Sequence, residues 1–152
     1  MSLRDIDNRA VGLAILVGGA ISFVHVSIST SVITVATSRT LVIAVGIVAV
    51  PAGVVVGLRS GSYDRQLIEG GVAAVCGATL GILGYAVVQA AMAEGMTLAY
   101  RVDIVFAVVL QNTYLFAVVF PALFLVGGYT ASKTAEWTRQ SLDEELTVGR
   151  FR

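Results

Sequence analysis

Charge is what this chain has least of. Of its 152 residues 13% are Asp, Glu, Lys or Arg while 57% are hydrophobic, and the mean hydropathy is +0.87. A soluble domain ordinarily carries about 25% charged residues, so the composition excludes a chain built for water. The ten basic and ten acidic side chains cancel to a formal net charge of zero. The basic surface that nucleic-acid binding needs to neutralise phosphates is therefore missing, and nucleic acid is not an expected partner. Cys76 is the only cysteine and His25 the only histidine. That excludes an intrachain disulfide and leaves no His/Cys cluster at metal-ligand spacing, so no metal or other cofactor is expected. A G-x-S-x-G elbow, an H-E-x-x-H pair and a phosphate-binding loop are all absent, and no two carboxylates share an apolar run. Catalysis is not the expectation.

What the chain has is long apolar blocks with the charges swept between them. A hydrocarbon core about 30 Å thick takes about 20 mostly apolar residues at a rise of about 1.5 Å each, and four stretches meet that length: residues 11–29, 41–58, 67–93 and 104–126. The expected fold is an all-α integral membrane protein with four transmembrane helices in an antiparallel up-down bundle. Residues 1–10 form the N-terminus, 11–128 the membrane domain and 129–152 a tail with a short helix. A cleaved signal peptide is the rival reading of the first stretch, because Arg4 and Arg9 precede it. Its apolar core, however, is longer than the usual 7 to about 15 residues, and no clean A-x-A site follows. Residues 30–40, "TSVITVATSRT", suit either a short loop or an extension of the first helix.

Lysine and arginine near span ends stay on the cytoplasmic side. Arg4, Arg9, Arg59, Arg65, Lys133, Arg139, Arg150 and Arg152 fall on one side of the proposed membrane, against Arg39 and Arg101 on the other. Both termini are therefore expected in the cytoplasm, with the chain in the cell membrane and the lipid bilayer as its first partner.

Glycine supplies a pattern. Gly46, Gly53 and Gly57 in the second span and Gly70, Gly77 and Gly81 in the third repeat G-x6-G-x3-G, and Gly84 extends the second copy. Steps of three, four and seven residues keep to one helical face, where small residues let backbones approach. The two stripes are expected to face each other across the short polar "RSGSYDRQ" turn, or to pair between two copies of the chain. The stretch from Gly53 to Gly84, "GVVVGLRSGSYDRQLIEGGVAAVCGATLGILG", resembles the glycine-rich hairpin of small uncharacterised multi-span membrane proteins of halophilic archaea. That resemblance implies no activity.

Every ionisable Asp, Glu, Lys and Arg lies outside the spans or at their edges, Glu69 and Asp103 being nearest. Proton-coupled transporters and voltage sensors need such groups at depth, so neither is expected. The polar triplet Gln111, Asn112 and Thr113 does lie near the middle of the fourth span, with His25 and Gln89 in the outer parts of the first and third. It serves either as an interhelical hydrogen-bonding layer or as the lining of a polar path. Ser22 and Ser29 stand at helical spacings from His25 and can bond locally to backbone. Pro51 and Pro121 are expected to kink their helices, since each removes a donor and crowds a carbonyl, at Ile47 and Ala117. After Gly127 and Gly128 the tail turns polar, with Trp137 placed to anchor at the cytoplasmic interface or to dock on a partner. The reading is a non-enzymatic structural or interaction component of a membrane assembly, partnered by further copies or other membrane subunits. The alternative is a small oligomeric channel or uncoupled transporter with its path near Gln111 and Asn112.

Overall fold

A computed structural model describes residues 7–29, 38–59 and 65–149; the side chains of 29, 38–44, 111–118 and 143–149 lie outside it. Among the described residues the only regular secondary structure is helical: α1 (Asn8–Ser29), α2 (Ser38–Arg59), α3 (Gln66–Met92) and α4 (Leu98–Gly149). Two of them, Asn8–Ile28 and Gln66–Met92, are long and apolar enough to cross a membrane, and α2 contributes the shorter apolar stretch Val45–Arg59.

Local chemistry sets the starts. Asp7 is the N-cap of α1: its Oδ1 accepts from the Arg9 and Ala10 amides at 3.1 and 3.2 Å, and its carbonyl accepts from Val11 at 3.0 Å. These bonds satisfy amides that have no partner inside the first turn. Thr97 does the same for α4, its hydroxyl accepting from Tyr100 at 3.4 Å and its carbonyl from Arg101 at 3.1 Å. Between α3 and α4 the chain reverses through Gly95 at φ +74°, a left-handed conformation that favours glycine.

Contacts fix the helix directions. Asp7 meets Glu69, Gly18 meets Gly77, and Phe23 meets Tyr85, so α1 and α3 run parallel. Gly53 lies against Gly127 and Gly57 against Ala131, so α2 and α4 are parallel too. In contrast Leu67 meets Gly128 while Gly71 meets Phe124, so α3 and α4 are antiparallel. The pairs in contact are α3 with α4, α1 with α3, α2 with α4, α1 with α2 and α2 with α3. Among the described residues α1 and α4 do not touch, which puts them at opposite corners of a diamond whose short diagonal is α2 and α3.

The interior is built from small side chains. Ala14, Ala49, Ala52, Ala73, Ala74, Ala131 and Val56 are fully buried, and Leu123 is the one aliphatic larger than valine that is buried among the described residues. The large apolar groups point outward: Leu16 and Phe106 are each 63% exposed and Leu110 67%. A helix in lipid gains nothing by hiding leucine from its surroundings, and this distribution is compatible with the two helices long and apolar enough to cross a membrane.

Three expectations are corrected. The glycine stripes of α2 and α3 do not face each other: Gly53 and Gly57 pack on α4, as does Gly70, whereas Gly77, Gly81 and Gly84 pack on α1. Each stripe demands a close neighbour without specifying which. Gly46 contributes no packing, because a Cβ there meets nothing within 4 Å. Finally, α4 does not end near Val126 but runs unbroken to Gly149. Gly127 and Gly128 are contact positions: a Cβ on Gly127 would lie 2.7 Å from the Gly70 carbonyl oxygen, and one on Gly128 would collide with the Leu67 carbonyl. Pro51 and Pro121 both lie within continuous helices.

These contacts rank the glycines. A Cβ on Gly81 would stand 2.5 Å from the Ser22 Cβ and 2.7 Å from backbone atoms of Gly19 and Phe23, so Gly81→Ala should lower stability by about 1–3 kcal/mol through overpacking. Gly46→Ala should be neutral or raise it by up to about 1 kcal/mol through helix propensity. Thermal unfolding of the two purified variants in one detergent checks the ordering.

Candidate functional site

The most unusual group in the interior is a carboxylate. Glu69 sits in the first turn of α3, is 1% exposed and, with Val56, is the largest fully buried side chain among the described residues. Its Oε1 accepts a hydrogen bond at 3.0 Å from the backbone amide of Asp7, 62 residues earlier. In a capping box the N-cap amide is satisfied by a Glu or Gln three positions into the same helix. In α1 that position is Ala10, which has no acceptor to offer, and Glu69 supplies it from the neighbouring helix.

The parallel course of α1 and α3 makes the carboxylate tolerable there. Both helices begin at this end, so both present the positive ends of their dipoles to it. A buried charge without partners would cost several kcal/mol. Here the cost is offset by the Asp7 amide and by two helix N-termini. Gln66, one turn earlier, is also buried at 3% exposed, and Arg65, Gln66 and Glu69 are each engaged in further interactions. The result is a polar clasp that fixes the start of α1 to the start of α3.

Higher along the same seam the clasp gives way to close packing. Ser22, buried, donates to the Ala78 carbonyl at 3.2 Å and so links α1 to α3; its bond is to the neighbouring helix, in place of the local backbone bond expected for it. Ser27 makes the local bond, to Phe23 at 2.8 Å. Phe23 and Tyr85 meet edge to face at 6.4 Å and 64°, a geometry their ring quadrupoles favour.

Of the polar path expected from sequence, only His25 and Gln89 are among the residues whose side chains are described. His25 is half-buried and lines an open, apolar groove of about 400 Å³ with Ala20, Ile21, Val24, Ile28 and Ile47. Gln89 is exposed on α3. The side chains of Gln111, Asn112 and Thr113 lie outside the described residues, although α4 runs through all three positions. No group of three or more His, Cys, Asp and Glu side chains able to hold a metal occurs among the described residues. Cys76 is exposed and stands alone on α3.

In the sequence Glu69 stands at the edge of a span, and no motif marks it. The available signal was the "EGG" of residues 69–71, a carboxylate in the first turn of an apolar helix beside two glycines that admit close neighbours. Glu69→Ala should destabilise the protein by about 1–3 kcal/mol, because the Asp7 amide loses its acceptor. Glu69→Gln, which keeps an acceptor oxygen, should recover much of that, and Asp7→Ala should cost about 1 kcal/mol as a lost cap. Thermal unfolding of the three variants, with amide exchange at residues 7–11, measures both effects.

No protein-family model, curated protein or solved structure matches this chain.

Proposed function

We propose that this chain is a four-span membrane protein, with both termini in the cytoplasm, that acts as a non-enzymatic structural or interaction component of a membrane assembly. The observation that carries the reading is the closure of the bundle by backbone contact. A Cβ added at Gly53, Gly57, Gly70, Gly81 or Gly127 would come within 2.7 Å of a backbone atom of a neighbouring helix. Helices that close leave no width between them for a hydrated path, and their small-residue interfaces are those by which helices associate in lipid.

The contact register supports the four spans. With Leu67 opposite Gly128 and the two helices antiparallel, the far end of α3 falls opposite the first residues of α4. The apolar part of α4 is then matched in length to α3. Residues 129–149 extend beyond that match as a helical arm about 30 Å long. On this arm Ala131 and Ala135 still pack within the bundle, whereas Trp137 and Leu142 are exposed and Lys133 pairs with Glu136 at 2.7 Å. Such an arm suits a component that presents a surface to a cytoplasmic neighbour.

Reconstituted into liposomes, the full chain should pass K+ and Cl− no faster than protein-free vesicles, and a single cysteine at position 142 in a Cys76→Ala background should label only from the cytoplasmic face. Ion flux above background would contradict the structural reading and favour a pore at the level of Gln111 and Asn112. Labelling of position 142 from outside would contradict the topology.

A further inference from the structure

We propose that the cytoplasmic rim of the α1–α2 seam binds one anionic phospholipid of the inner leaflet, its phosphate held between Arg9 and Arg59. The proposal rests on the membrane topology given above. It begins from depth. A Cβ on Gly18 would stand 3.5 Å from the Ala52 Cβ and 3.9 Å from the Val48 carbonyl, so these residues of the antiparallel helices α1 and α2 are level. Arg9 lies about 13 Å below Gly18, and Arg59 about 11 Å below Ala52, at a rise of about 1.5 Å per residue. The two arginines therefore sit within about 3 Å of the same depth, on adjacent helices whose axes lie about 8–10 Å apart when packed.

Arg9 ends an open, apolar face of α1, and Arg59 follows directly on Leu58, the last residue of an open, apolar face of α2. Arg9, Leu13, Leu16, Ala20 and Val24 follow one another at steps of three and four along one face of α1, and Ile47, Val50, Val54 and Leu58 do the same along α2. Ala20, Val24 and Ile47 line a single groove, which shows that the two faces border the same seam. Leu16 is 63% and Leu58 54% exposed, giving acyl chains a surface directly above the arginines. The distance from Arg9 to Ala20 is about 16 Å, the thickness of one leaflet's hydrocarbon.

Charge decides which lipid. Both arginines are exposed, and neither guanidinium is in an ion pair among the described residues. Among the described residues the acidic groups at this end are committed elsewhere: the Asp7 carboxylate caps α1, and Glu69 is buried against the Asp7 amide. Guanidinium forks match the geometry of a phosphate, and two of them at one depth favour a headgroup with net negative charge over a zwitterionic one.

The test is native mass spectrometry of the purified full chain, titrated with phosphatidylglycerol or phosphatidylcholine. One phosphatidylglycerol should be retained in preference to phosphatidylcholine, and the double variant Arg9→Gln/Arg59→Gln should weaken its binding by roughly thirtyfold, taking about 1 kcal/mol per arginine. Arg101→Gln, at the opposite end, should leave binding unchanged, and Arg9→Lys/Arg59→Lys should retain part of it. Equal retention of both lipids, or full binding by a double variant whose helix content matches the parent, would overturn the proposal. So would inorganic phosphate competing as well as the lipid, since that describes a free-anion site. Carbonate extraction separates the two failures: a chain that leaves the membrane defeats the topology, whereas a chain that stays without lipid preference defeats only the lipid site.

Discussion

A Cβ on Gly77 would lie 3.1 Å from Gly18, and one on Gly70 would lie 2.5 Å from the Gly127 carbonyl; α3 is thus in backbone contact with α1 along one part of its length and with α4 along another. In lipid there is little gain from hiding one leucine against another, so helices are held by dispersion over closely fitted surfaces. Each glycine in a helix interior costs about 1 kcal/mol in propensity, and that cost is repeated along α2, α3 and α4. What it makes room for is contact between backbones, with alanines such as Ala14, Ala52 and Ala74 filling the remaining space. The small-residue interior follows from that approach distance, and the large apolar side chains are left to point outward.

The clasp at Glu69 complements this packing. Close-fitted glycine surfaces are smooth and do little to fix the position of one helix along another, whereas a hydrogen bond from the Asp7 amide to Glu69 fixes the axial register of α1 on α3. Its place at the start of both helices puts a buried carboxylate where two dipoles favour it. The same end carries the exposed arginines of α1 and α2. The contact that registers α1 on α3 is thus buried, while the cations at the same end stay exposed.

Much of the helix layout was legible in the sequence, because apolar length is a local property. The stretches 11–29, 41–58 and 67–93 lie close to α1, α2 and α3. The end of α4 was not legible: Gly127 and Gly128 read as a break, and only the positions of Gly70 and Leu67 show that they are contacts. The glycine stripes were legible as close-packing faces but their partners were not, since a missing side chain says how near a neighbour comes and nothing of its identity. Gly46 shows the limit of the pattern, matching the spacing with nothing beside it. Glu69 escaped notice because its partner lies 62 residues away and is a backbone amide, which no side-chain pattern records.

The central claim, that α1 and α3 lie parallel and in direct contact, is tested most directly by disulfide formation. A Cβ on Gly19 would stand 3.5 Å from the Leu80 Cβ, within the range that a disulfide spans. In a Cys76→Ala background, Gly19→Cys/Leu80→Cys should close an intrachain disulfide in native membranes under mild oxidation, whereas Leu16→Cys/Leu80→Cys should not. Failure of the first pair to close, or its closure only between two copies of the chain, would contradict the packing on which the account stands.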